Sequence, residues 1–211
     1  MRSTAVVVPV AAGKERELPR LVEALHPNAV ANGRDTPGAI REAVFLQRTP
    51  VGAQVIVYRE WGRGPGDTPD LMRALAALTG LDGTGDVSPP VEQLLHELPP
   101  SAGGELHAFA APLRPGKTAR MREFASELSG IHAQEFTESL RRLGVGVTLF
   151  LQRTPHGDLV VTVLEGPAPE AALARMATSE LPFDRWHVQQ IADLHGMDLR
   201  QMLPPVIERL R

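Results

Sequence analysis

The sequence predicts an α+β fold built as a tandem duplication, with two βαββα halves in one chain of 211 residues. Three observations carry that reading. Phe-Leu-Gln-Arg-Thr-Pro at 45–50 recurs unchanged at 150–155, an offset of 105. Val-Pro-Val-Ala-Ala-Gly-Lys at 8–14 matches Ala-Pro-Leu-Arg-Pro-Gly-Lys at 111–117. Gly52 and Glu60 then find Gly157 and Glu165 at the same offset as the hexapeptide. A repeat of this period means one supersecondary unit used twice. The halves divide as 1–100, a shortened and loop-interrupted repeat, and 104–211, a repeat with an extra helix and a C-terminal tail.

The elements follow in order. The apolar run ending at Pro9 is too short for a signal-peptide core and reads as a first strand. The first helix is cut short, because Pro27, Asn28, Gly33 and Pro37 do not all fit a helix interior, so 26–38 is expected as an irregular loop. Gly62-Arg-Gly-Pro-Gly-Asp reads as a plain loop, since Pro65 removes an amide that a phosphate cradle would use. The second half begins with an alternating strand over 105–113. Met121, Phe124, Leu128, Ile131, Leu140 and Leu143 then form one stripe, predicting a helix of about 25 residues ended by Gly144. A strand over Val145–Arg153, a His156-Gly157-Asp158 turn and a strand over Leu159–Glu165 follow, then helices near 169–179 and 184–195. Gly80-Leu-Asp and Pro89-Pro-Val resemble Gly196-Met-Asp and Pro204-Pro-Val, but the offset has grown to 115 or 116. About ten residues around Pro182–Ile191 therefore have no partner in the first half, and they carry Trp186 and His187.

Composition narrows the function. A net charge of −3 and a pI near 6.2 give no footprint for nucleic acid. No apolar stretch approaches the roughly 20 residues that cross a bilayer. The absence of cysteine excludes disulfides and thiolate metal sites and makes a reducing cytoplasm the expected compartment.

The βαββα order, the strand-Pro-Gly-Lys-helix opening and the Leu-Gln-Arg-Thr-Pro-x-Gly-Asp hairpin resemble the dimeric α/β-barrel (ferredoxin-like) superfamily. That superfamily includes antibiotic-biosynthesis monooxygenases, polyketide cyclases and muconolactone isomerase-like proteins. The Pro-Phe-Asp-x-Trp-His and Leu-His-Gly-x-Asp-Leu segments of the second half are similar to actinobacterial members of it. The resemblance implies two ferredoxin-like repeats packed sheet to sheet as an intrachain pseudo-dimeric barrel. Sites would then lie in the barrel or between sheet and helices. A covalent duplicate fits a monomer, and unpaired strand edges leave a homodimer open.

Strand alternation selects the side chains that would line such an interior. Phe150 and Gln152 share one strand face, Glu165 shares one with Val161 and Val163, and Glu60 shares one with Tyr58. His107 lies on the first strand of the second half, where the same cavity is in reach. Histidine is the natural acid or base near neutral pH, and His187 stands out because its segment is unduplicated. Asp184, one turn earlier, is placed to orient its ring, and Trp186 to wall the substrate. Each of these residues also has a plain reading, as a core-satisfied or solvated group. His187 and His195 are roughly 12 Å apart along one helix and so do not share a metal. No metal site or cofactor is expected. The leading expectation is a cofactor-independent enzyme acting on a small organic molecule, with His187, Asp184 and Glu165 catalytic. A non-catalytic small-molecule binder is the alternative, and haem ligation through His187 or His195 a further one.

Overall fold

The computed structural model describes residues 2–25, 39–61, 90–98, 104–200 and 206–210. The expected loops at 26–38 and at Gly62-Arg-Gly-Pro-Gly-Asp, and the Gly80-Leu-Asp segment, lie outside them.

In the first unit, strand β1 (Arg2–Val10) runs into a 3-10 turn (Lys14–Glu17) and helix α1 (Leu18–Leu25). Strands β2 (Ala39–Thr49) and β3 (Gly52–Trp61) form the hairpin that carries the first copy of the hexapeptide. Val6, Val8, Val44, Leu46, Val55 and Val57 point to one face of the sheet and pack with Leu18 and Val22 of α1. In the second unit, β5 (Glu105–Pro112) leads to α2 (Thr118–Ser129) and α3 (Ala133–Leu143). The hairpin β6 (Gly146–Thr154) and β7 (Gly157–Gly166) then precedes α4 (Glu170–Ala177) and α5 (Pro182–His195). Val147, Leu149, Leu151, Val160 and Leu164 face these helices and bury Met121, Phe124, Leu128, Leu140 and Val188 against them. Each such side chain removed from water stabilises the unit by about 1.5–3 kcal/mol.

The duplication is visible atom by atom in the turns. Thr49 Oγ1 donates to Gly52 O at 2.9 Å, and Thr154 Oγ1 donates to Gly157 O at 2.6 Å. Gly13 and Gly116 both sit at positive φ, +85° and +80°, turning the chain from the first strand of each copy toward its helix. A Cβ on Gly116 would meet nothing within 4 Å, so only the left-handed backbone opposes a side chain there. Gly116→Ala is expected to cost about 1 kcal/mol in urea denaturation. No loss would show that the turn relaxes to negative φ.

Two features differ from the sequence reading. The single helix expected over the second half is two helices. Gly130 (φ −113°, ψ −100°) leaves helical geometry, and the Ser129 hydroxyl bonds back to the carbonyls of Ala125 and Ser126. Ile131, counted in the apolar stripe, falls in the corner and is 81% exposed. Each copy also contributes a fourth strand. The matched Pro-Pro-Val segments lead into strands β4 (Val91–Glu97) and β8 (Val206–Arg209). Each joins the sheet of the other copy, giving the orders β1-β3-β2-β8 and β4-β6-β7-β5. The compact units are therefore Met1–Val91 with Pro205–Arg211, and Glu92–Pro204, rather than the two sequence halves. Arg122 grips Glu92 of β4 at 2.7 Å, and Arg48 reaches Glu208 of β8 at 3.3 Å. Among the described residues no helix is long and apolar enough to cross a membrane.

The second face of each sheet is also buried. It holds Ala5, Val7, Phe45, Ile56, Tyr58 and Glu60 in the first unit, and Ala108, Ala110, Phe150, Gln152, Val161 and Val163 in the second.

Candidate functional site

Helix α5 comes from the unduplicated segment. Its extended N-cap Leu181 and Pro182 in the first turn start the helix without losing an intrahelical bond. Phe183, Trp186 and His187, spaced three and four residues apart, turn toward α2 and α3 and meet aromatic side chains there. The His187 ring lies edge-on to Phe124 at 5.3 Å and to Phe183 at 5.8 Å, and tilted at 6.0 Å from Phe136. Trp186 packs on Phe183 at 5.5 Å and on Phe124 at 5.8 Å. His132, from the corner between α2 and α3, lies over Trp186 at 4.2 Å and donates from Nδ1 to Glu135 at 2.7 Å.

His187 keeps some surface as a residue, yet its Nδ1 is cut off from solvent and has no hydrogen-bond partner among the described residues. Burial pushes its pKa down to about 4 against the opposing pull of Asp184. The imidazole is therefore neutral at physiological pH, held among aromatic rings.

Asp184 does not orient that ring. It is itself buried, and Ser139 Oγ donates to its Oδ1 at 2.7 Å while the Arg142 guanidinium takes Oδ2. Burial alone would raise its pKa, but Ser139, Ser179 and Arg142 outweigh it and hold the carboxyl below its usual range. Both oxygens are engaged, by Ser139 and Arg142 of α3 and by Ser179 just ahead of α5, which clamps the first turn of α5. Ser139 and Arg142 went unnoticed in the sequence, where nothing distinguishes them from other polar residues of an amphipathic helix.

The other end of α5 is fixed as firmly. Lys117 Nζ reaches Asp193 at 2.7 and 2.8 Å, and Arg120 donates to Gln190 at 2.5 Å. His195 Nδ1 donates to the Pro112 carbonyl at 2.8 Å, which makes it a staple between helix and strand. Burial lowers its pKa despite that bond. The described residues hold no cluster of three or more metal-ligating side chains.

The remaining predicted residues fall in three places. His107 pairs in register with Leu164 and so lies on the helix-covered face, with Phe109 at 6.2 Å and Glu170 of α4 at 3.6 Å. It does not share a face with Phe150 and Gln152, because adjacent strand positions alternate. Burial pushes its pKa down, with Glu170 opposing. Phe150, Gln152 and Glu165 lie on the second face of that sheet, away from His187. Tyr58 and Glu60 lie on the second face of the other unit, where Tyr58 OH donates to Glu60 Oε1 at 2.5 Å. His187 and Trp186 are thus together, and Glu165 is not with them. A surface hollow of about 400 Å³ on α3, lined by Gln134, Thr137, Glu138 and Arg141, includes none of the predicted residues.

No protein-family model matches the chain, and no curated protein does. A solved structure from Fusobacterium nucleatum, described as a putative monooxygenase, is similar over 98% of this chain and 88% of its own, with 10% identity and a TM-score of 0.47. A likeness of this size says nothing about activity.

Proposed function

We propose that the chain is a cofactor-independent enzyme acting on a small organic molecule, with His187 as its proton acceptor. The observation that supports this reading is the bare, buried Nδ1 of a neutral imidazole ringed by Phe124, Phe136, Phe183 and Trp186. A purely structural histidine in such a place would normally satisfy both nitrogens, since a buried unpaired nitrogen costs about 1–3 kcal/mol. The cage also says which chemistry suits it. An imidazolium is disfavoured there, so a proton taken from substrate is returned quickly rather than kept. That favours isomerase or cyclase chemistry, in which one proton leaves and re-enters the same molecule, over monooxygenation. Trp186 and Phe183, each partly buried, supply flat apolar surface for the substrate.

The test is His187→Phe, which keeps the ring packing and removes both nitrogens. Turnover in a screen of small cyclic organic molecules should fall about 100-fold with the circular dichroism spectrum unchanged. Equal turnover and equal ligand affinity in the variant would refute the assignment. A ligand bound through His187 but always recovered unaltered would mark the chain as a binding protein instead.

A further inference from the structure

The two exchanged strands, β4 and β8, are not held alike. β4 is followed in the chain by β5 of its own sheet. It buries Leu95, its His96 Nδ1 meets Thr148 Oγ1 at 2.9 Å, and Arg122 grips Glu92 at 2.7, 3.0 and 3.1 Å. β8 lies in the first unit although the elements before it, β5 to α5, all lie in the second. It pairs with β2 only from Phe45 to Arg48, and none of its side chains is buried. Glu208 reaches Arg48 at 3.3 Å, but these side chains are 52% and 44% exposed, and Arg48 also lies 3.8 Å from Glu15. A tie of that kind is weak. Leu210 adds a part-buried contact with the core and a backbone bond to Val44 at 2.8 Å.

The strand beneath β8 is of the opposite kind. Val44, Phe45, Leu46 and Gln47 are all buried, so an uncovered β2 edge would present unpaired backbone groups beside apolar side chains. The edge needs a strand, and nothing in the pairing requires that strand to come from the same chain. A β8 from a second copy meets the same backbone groups in the same register, with Arg209 opposite Phe45 and Val206 opposite Arg48. It also brings Glu208 to Arg48 and Leu210 to the core, which a second β2 edge does not. Residues 196–205 link α5 to β8 and reach up to about 35 Å when extended, enough to carry β8 onto a neighbouring molecule.

We infer that the β2 edge is an interface for a second copy of this chain, and that two chains form a dimer by exchanging β8 reciprocally. Each β8 leaves its own β2 and lies on that of the partner, so every hydrogen bond broken is remade. The closed and exchanged forms do not differ in pairing, and protein concentration decides between them. β4 stays in place, held by buried Leu95 and by its ties to α2 and β6.

The chain has no cysteine, so single substitutions give unambiguous cross-links. Arg48 and Val206 oppose each other in the register, and both are exposed. Directly opposed positions of an antiparallel pair lie within disulfide reach. Full-length Arg48→Cys and Val206→Cys are mixed at high concentration, incubated and oxidised, and the products are separated by intact mass. The heterodimer should exceed each homodimer by about tenfold or more. Gel filtration of the wild type should show a monomer giving way to a dimer as concentration rises. Arg48→Cys homodimers as abundant as the heterodimer would mean that two β2 edges pair directly. Cross-links in random proportion, or none, would mean that β8 does not leave its own chain. Either result overturns the proposal, and so does a wild type that stays monomeric at every concentration.

Discussion

Arg142→Leu is expected to destabilise the second unit by about 2–3 kcal/mol, whereas Asp184→Asn is expected to cost about 1–2 kcal/mol. The asymmetry follows from burial. The Arg142 side chain is 39% exposed, so its guanidinium turns to water when its partner is lost, and screening already weakens its half of the pair. The Asp184 side chain is 1% exposed and has no such escape. With Arg142 gone, the carboxylate stays buried with only the hydroxyls of Ser139 and Ser179 to stabilise it. The measurement is urea denaturation in a Trp61→Phe background, so that Trp186 fluorescence reports on the second unit alone. If Asp184→Asn proved the more costly change, the clamp would draw its strength from the carboxylate's neighbours rather than from ion pairing.

Acidification should unfold the same unit, by about 3 kcal/mol between pH 6.5 and pH 4 from His187 alone. The sign is fixed by the direction of the shift. In the unfolded chain His187 titrates near 6.5, and in the folded chain near 4. Between those values the unfolded state binds the extra proton, so the stability this histidine contributes is complete above 6.5 and is lost as pH falls to 4. Burial lowers His107 and His195 as well, and both add with the same sign. Asp184, depressed against burial by its bonds to Ser139, Ser179 and Arg142, adds a further loss only below the usual aspartate range. The check is a series of urea midpoints across this pH range for the wild type and His187→Phe. The variant should show a visibly shallower slope, and parallel slopes would mean that His187 is not held neutral by burial.

The hairpins were legible in the sequence because their information is local. Phe45–Pro50 and Phe150–Pro155 each combine an alternating strand with a turn, and a strand's period of two needs no partner to be recognised. Both hairpins form, with Thr49 opposite Gly52 and Thr154 opposite Gly157. The helix break at Gly130 was partly legible, since a glycine followed by Ile131 and His132 interrupts the period, yet the stripe of apolar residues bridged it. Strand β8 was not legible. Three of its four residues are exposed, so no apolar period marks it, and backbone bonds to β2 hold it in place with the Arg48–Glu208 contact.

For the site, sequence alone determined that His187 and Trp186 belong together, because they are adjacent on a segment found in one copy only. It also determined that Tyr58 and Glu60 share a strand face. Only the tertiary structure decided what each group faces. It turned Asp184 toward Ser139 and Arg142 and left His187 Nδ1 bare, and it placed His107 on the face opposite Phe150. The difference is one of range. Periodicity fixes which side of its own element a residue occupies. The partners on that side come from elements 40 to 50 positions away, such as Ser139 and Arg142 for Asp184, and packing alone selects them.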